Sequence, residues 1–302
     1  MNILVSSNTQ YLPITSTMIY SLWLHNRAEL SVWFLYCNIE ATEREGFARY
    51  LKDRCKAQVH FVKIENAVFM SLGAPLFIKH ISIETYYRII AQFVLPRDLD
   101  RVLWLDSDII VKNNIETFYN QPLVGKSLVA CKNMGEGAYS NRARLGLPED
   151  YVYFNAGVIL FNLDYLRANT TLNGVLSFCK ENIGKLRMQD QDLLNLLYYD
   201  SAFVIQDQMF NCMVNCPKDF ISDDIVDRCH ILHYAGWQKP WKIRWQDRWS
   251  HYYWEVREKE GLHSYEFFIR CIGGLVALLH LNDMYTFMMM PYNWLKCLLN
   301  RQ

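Results

Sequence analysis

The chain has no excess of charge: 31 lysines and arginines stand against 31 aspartates and glutamates. A dedicated nucleic-acid binder carries a basic surplus, so that class is disfavoured and no nucleic-acid partner is expected. Glycine-rich phosphate loops are missing. Neither G-x-G-x-x-G nor a Walker A pattern follows the first apolar segment, which argues against a dinucleotide cofactor or a P-loop nucleotide. None of the nine cysteines forms a C-x-x-C knuckle. The spacing of Cys212, Cys216, Cys229 and His233 allows a closed zinc site, but without knuckles this is the weaker use of His233. The apolar run 271–281 is shorter than the ~20 residues that cross a bilayer. Met1-Asn2 leads straight into Ile3-Leu4-Val5, with no basic leader or cleavage site, so a cytoplasmic protein with reduced thiols is expected. Repeats and low-complexity tracts are also lacking.

What is present suits a folded globule. Half of the 302 residues are apolar and a fifth are charged, enough for a full-sized core. Segments 3–6, 31–37, 58–64 and 101–105 read as short buried strands. Segments 11–25, 42–52 and 82–93 between them have helical character. Strands alternating with helices imply a mostly parallel sheet covered on both faces, an α/β architecture of the nucleotide-binding sort. Ligands of such sheets sit at the carboxyl ends of the strands. The main domain is expected over 1–250. Residues 251–302 differ in character, with Tyr252, Tyr253, Trp254 and Met288-Met289-Met290 close behind Trp241, Trp245 and Trp249. Two readings stay open for this tail: a helical appendage, or an aromatic and basic segment at a membrane interface.

Four segments hold polar groups where apolar ones would pack with less cost. In Leu105-Asp106-Ser107-Asp108-Ile109 two carboxylates follow a buried strand. Carboxylates are rarely buried unpaired, so a divalent cation is the best explanation. In Phe154-Asn155-Ala156-Gly157-Val158 a lone amide interrupts an apolar run, and its small neighbours leave room for a ligand to approach the backbone. Gln189-Asp190-Gln191-Asp192 opens a helix-like run; a helix cap needs only one of those four. His233-Tyr234-Ala235-Gly236-Trp237-Gln238-Lys239-Pro240-Trp241 joins an imidazole to a glycine and a lysine, a combination that suits metal and phosphate.

In this order, with His80 to Arg88 (HISIETYYR) upstream as a fifth match, the segments resemble the retaining glycosyltransferases of family 8. That family holds glycogenin and the bacterial lipooligosaccharide α-galactosyltransferases. The resemblance runs from about Ile3 to Trp241 and implies a GT-A type fold and a hexosyltransferase that uses a UDP-hexose donor with Mn2+, Mg2+ being the alternative. Carried over by position, it gives Asp106, Asp108 and His233 as metal ligands. Ser6, Ser7, Asn8, Tyr11, Arg88, Ser107, Gly236 and Lys239 fall on the nucleotide. Arg88, Asn133, Asn155, Ala156, Asp190 and Gln191 fall on the donor sugar, with Gln191 and Asp190 as the catalytic candidates. Bacterial members commonly have Asp where this chain has Asn8, and another sugar-contacting Asp is matched by Asn133. The resemblance also implies a galactosyl or glucosyl donor and a bacterial surface glycan or glycolipid acceptor; on the interfacial reading of the tail, its aromatic and basic residues give peripheral attachment to the inner face of the plasma membrane. Two other readings remain: a degenerate UDP-sugar-binding module without turnover, which Asn8 and Asn133 favour, and a nucleotidyltransferase, which normally has a glycine-rich basic loop that Val5 to Tyr11 lacks.

Overall fold

The structure is a computed structural model. It describes residues 1–26, 28–65, 83–134, 137–214, 221–236, 238–242, 249–261 and 271–272. The chain divides into two compact units, Met1–His233 and Tyr234–Gln302.

The first unit is built on a seven-stranded sheet. Strands β1 (Asn2–Ser6), β2 (Ser31–Tyr36), β3 (Gln58–Lys63) and β4 (Arg101–Leu105) lie parallel in the order β3-β2-β1-β4. The three-residue strand β5 (Ile109–Val111) and then β6 (Leu128–Lys132), β7 (Phe154–Asn162) and β8 (Ala202–Ile205) follow. Strand β7 pairs antiparallel with β4 and β6, and β8 closes the edge parallel to β6, giving β3-β2-β1-β4-β7-β6-β8. The mostly parallel α/β sheet read from the sequence is therefore present. Its strands are nearly continuous apolar runs because both faces are covered. On one face Leu4, Trp104, Ile159 and Phe161 pack in a core with Tyr86, Ile89, Leu193 and Leu194 from flanking helices.

Two features differ from the sequence reading. The helical segment expected over 82–93 is a 3-10 helix, Ile83–Ile90, that passes into one α-turn, Ala91–Val94. Residue 82 lies outside the described residues. A second sheet was not anticipated: β9 (Cys212–Met213) and β10 (Ile231–His233) join β5 in the order β5-β10-β9. Strands this short carry no periodicity to read. Helix Leu12–His25 is tied to this sheet through Ser21, whose hydroxyl accepts from the Val111 amide at 2.9 Å.

In the second unit the described residues include helix Ser250–Glu260. The Tyr234 hydroxyl donates to the Trp249 carbonyl at 2.8 Å. Most of the tail, including Met288-Met289-Met290, lies outside the described residues. No helix among the described residues is long and apolar enough to cross a membrane.

Candidate active site

The acids sit where β4 ends. The Asp106 amide still bonds the Gly157 carbonyl of β7 at 2.9 Å, which extends the sheet one step and fixes the carboxylate's exit. One residue after Asp108 the chain re-enters a strand, and Ile109 pairs with His233 in the antiparallel β5-β10 ladder. The small sheet thus delivers the imidazole to the carboxylates. His233 Nε2 lies 3.3 Å from Asp108 Oδ1 and 3.8 Å from Asp106 Oδ2. Among the described residues these three are the one acid, histidine or thiol group disposed to hold a metal.

The remaining atoms of two of the ligands are already engaged. Asp106 Oδ1 accepts from Trp104 Nε1 at 2.8 Å and Arg88 Nη1 at 3.0 Å, leaving Oδ2 turned to His233. The state of His233 follows from a backbone donor. The Gly157 N–H can only donate, and it donates to Asn155 Oδ1 at 2.8 Å. Asn211 Nδ2 donates to the same oxygen at 2.9 Å, so Asn211 Oδ1 is the atom 2.8 Å from His233 Nδ1. Nδ1 therefore carries a proton, and Nε2 is the ring nitrogen turned to the carboxylates. A side-chain amide that holds the Nδ1 proton and orients the ring is the arrangement expected of a metal-ligating histidine. Two hard oxygens with one imidazole suit a divalent ion of the magnesium-to-manganese kind. The donor set fits a metal.

The cysteine alternative does not use this histidine, because His233 is committed to the acids and Asn211. Cys212 and Cys229 are buried free thiols, and their mutual hydrogen bond draws the Cys229 thiol down from its ordinary pKa. Cys216 lies outside the described residues.

A second cluster adjoins the first through Arg88, which the 3-10 helix buries. Its guanidinium pairs with Asp190 at 2.6 Å, donates to the Ala156 carbonyl and lies over the Trp104 ring. Burial pushes Asp190 up to about 6 against the pull of Arg88, with the Asp106 charge adding to the rise. Gln191 is held at both ends. Its Oε1 accepts from the Ala156 amide at 3.0 Å and Asn155 Nδ2 at 3.1 Å. Its Nε2 donates to the Tyr153 hydroxyl at 3.3 Å and Asn133 Oδ1 at 3.5 Å. Asn133, Asn155, Ala156 and Gln191 are thus one hydrogen-bonded group, which Asp190 joins through Arg88, and all are buried.

The first residues after β1 are placed less directly. Ser6 donates to the Glu84 carbonyl at 2.6 Å, and Ser107 lies 2.8 Å from Thr15 Oγ1. Asn8 Oδ1 caps the following 3-10 turn by accepting from the Tyr11 amide. Ser7 Oγ is buried with no partner among the described residues. The Tyr11 hydroxyl is pushed up to about 12, chiefly by burial and then by the Asp108 charge, which places it near the acids. Gly236 and Lys239 belong to the second unit. Gly236 has φ +83°, and Lys239 Nζ donates to the Tyr234 carbonyl at 2.7 Å.

Sequence reasoning missed Asn211, Trp104 and the part played by Gly157. The neighbour that requires Gly157 to be small is not a ligand: a Cβ there would lie 2.2 Å from His233 Cε1. Asn211 sits next to a two-residue strand with no pattern to mark it. Of the four polar residues 189–192, none caps its helix with a side chain. Asp192 instead ties the preceding loop, accepting from the Arg187 and Met188 amides and from Arg144.

A mostly parallel sheet with a carboxylate-histidine cluster at the end of its fourth strand is the architecture of a GT-A type transferase. The solved galactosyltransferase LgtC, in complex with donor and acceptor sugar analogs, shares the fold, with a TM-score of 0.75 and 24% identity over 88% of this chain and 99% of that one. Glycosyl transferase family 8 matches residues 2–244, and the chain belongs to that family. It is 26% identical over 262 residues to glycosyltransferase GlyF of Streptococcus pneumoniae, covering 85% of this chain and 61% of the relative. It is 28% identical over 165 residues to the lipopolysaccharide 1,3-galactosyltransferase of Salmonella typhimurium, covering 52% of this chain and 49% of the relative. The chain thus spans less than two thirds of the length of either.

Proposed function

We propose that the chain transfers a hexose, galactose or glucose, from its UDP-sugar to an acceptor hydroxyl of a bacterial surface glycan or lipid-linked precursor, with retention of anomeric configuration. The observation that carries this is the orientation of His233, set through Asn211 and Asn155 from a backbone amide so that Nε2 joins Asp106 Oδ2 and Asp108 Oδ1. Family membership and the galactosyltransferase among the relatives support the donor class. Mn2+ is the proposed ion, because an imidazole beside two carboxylates shifts preference away from Mg2+. When bound, the ion supplies charge stabilisation to the departing diphosphate.

The protein's own groups then divide the remaining work. Asp106, Asp108 and His233 would hold the ion. Ser6, Ser7, Asn8, Tyr11 and Ser107 form the nucleotide side, with Gly236 and Lys239 on the diphosphate. Asn133, Asn155, Ala156, Asp190 and Gln191 bind the hexose, and Arg88 ties Asp190 to Asp106. Neither catalytic candidate is presented as a nucleophile. Asp190 is locked against Arg88, and Oε1 of Gln191 is turned into the β7 backbone. This favours a front-face route. The acceptor oxygen bonds the anomeric carbon as the bond to the phosphate oxygen breaks, and the hydroxyl proton passes to that phosphate oxygen. Gln191 and Asp190 stabilise the oxocarbenium-like sugar. The transferase domain is assigned to residues 1–250 and the tail to 251–302, with the protein cytoplasmic and peripheral at the inner membrane face.

The test is a panel of UDP-sugars assayed for hydrolysis and transfer with Mn2+. UDP-galactose or UDP-glucose should turn over. Chelation, Asp106→Ala or Asp108→Ala should each reduce the rate at least about 100-fold, as expected when a charge-stabilising ion is lost. UDP binding without turnover on any sugar would indicate the binding-only module. Pyrophosphate release would indicate a nucleotidyltransferase.

A further inference from the structure

A cavity of about 390 Å3 opens beside the edge strand β8, and none of its lining residues belongs to the metal or donor-sugar clusters. Tyr151, Tyr199, Asp150, Asp200 and Gln206 give it its chemistry. The two tyrosine rings meet edge to face, with centroids 6.2 Å apart at 87°. Tyr151 spends its hydroxyl on Asn195 Oδ1 and offers the cavity its ring. Tyr199, just past the end of helix Asp190–Tyr198, is 43% exposed, and its hydroxyl has no partner among the described residues. Asp150 and Asp200 likewise form no hydrogen bond or ion pair there. Gln206 uses Nε2 on the Val204 carbonyl and keeps Oε1.

This inventory selects among ligands. The lining holds no cationic side chain, so phosphates, nucleotides and anionic lipids are repelled. A divalent cation lacks its third ligand, because the one such group among the described residues is Asp106, Asp108 and His233. An apolar partner would strip water from two carboxylates and give nothing in return. A neutral polyol suffers none of these objections. Its hydroxyls donate to carboxylate and amide oxygens while its C–H face lies on an aromatic ring, and the volume is near the low end of the range for small-molecule sites.

We propose that this cavity is an accessory subsite for a hexopyranose unit of the glycan acceptor. The proposal rests on the reading of the chain as a glycan-modifying transferase. It also gives the subsite a consequence. The Asn195 that Tyr151 holds bonds the Gln191 carbonyl and both backbone polar groups of Phe154. Binding of a remote sugar therefore bears on the support of the donor pocket, which is how binding energy away from the reacting atoms becomes useful in the reaction.

The experiment is saturation-transfer NMR on the full chain with UDP and Mn2+ present. The probes are the methyl glycosides of galactose and glucose, lactose and maltose. At least one probe should receive saturation on its ring protons. That signal should fall about fivefold or more in Tyr199→Ala and in Asp200→Ala and persist in Tyr199→Phe, in keeping with loss of a single aromatic or polar contact. UDP-hexose hydrolysis should stay at the wild-type rate in all three variants. No saturation of any probe, or equal saturation in wild type and variants, overturns the proposal. So does a wild-type dimer that Tyr199→Ala dissociates in sedimentation, which would assign the face to a second copy. If no UDP-sugar turns over while the Tyr199-dependent signal remains, the transferase reading fails and the sugar site stands.

Discussion

Asn211 contributes no ligand atom, yet the metal site depends on it. Its carbonyl holds the proton on His233 Nδ1, and its amide is oriented by Asn155. Asn211→Ala should leave the fold intact and weaken Mn2+ binding by roughly 10- to 100-fold, the usual effect of removing the hydrogen-bond partner of a ligating histidine. Calorimetric titration of Mn2+ in the presence of UDP measures this directly. Gln189 shows a different kind of commitment. It has φ +53° and ψ −125°, in a region that suits glycine, and both of its side-chain amide atoms are buried without partners among the described residues. Strain and an orphaned amide next to Asp190 and Gln191 are what functional sites retain at a cost in stability. The backbone part can be isolated by comparing two variants. Gln189→Gly should be more stable than Gln189→Ala by about 1–2 kcal/mol in denaturant melts, the reverse of the order at ordinary positions.

Helix Asp190–Tyr198 does more than pack. Its inner face carries Asp190, Gln191, Asp192 and Asn195, all buried and all bonded to other elements. Asn195 acts as a clamp, accepting from the Phe154 amide at 2.9 Å and donating to the Phe154 carbonyl at 3.0 Å. This satisfies a β7 residue just below the point where the β6-β7 register shifts. Asn195→Ala would orphan two fully buried backbone groups. It should cost about 2 kcal/mol or more of unfolding free energy, read from the urea midpoint, and should slow transfer because Gln191 loses its anchor. The β5-β10 ladder is the other decisive element. Only three residue pairs long, it sets Asp108 beside His233 and owes its position to helix Leu12–His25 through Ser21.

At the scale of the molecule the first unit contains the sheet, the Asp106, Asp108 and His233 group and the buried polar residues around Gln191, and the second contains Gly236 and Lys239. The tail, residues 251–302 of that second unit, has the aromatic and basic character that suggests an interface. If it binds lipid, full-length protein should float with vesicles containing anionic lipid, and a truncation after about residue 250 should remain at the bottom of the gradient. Equal behaviour of the two forms would return the tail to the role of a packed appendage.

Much of this was present in the residues themselves. Alternation of apolar segments with helical ones is local, so β1 to β4 and the class of sheet could be read from 3–6, 31–37, 58–64 and 101–105. Asp106, Asp108, Asn155 and the 189–192 run stood out because polar groups inside apolar surroundings need a reason, and desolvation makes that rule strong. The tertiary structure decided what those reasons were. It brought His233 to the acids through strands too short to have a period. It turned Gly157 from a ligand's neighbour into the space for an imidazole. It made Arg88 the link between Asp106 and Asp190. Contacts between segments distant along the chain leave no periodic trace in either, so sequence alone could name the participants but not the order in which they hold one another.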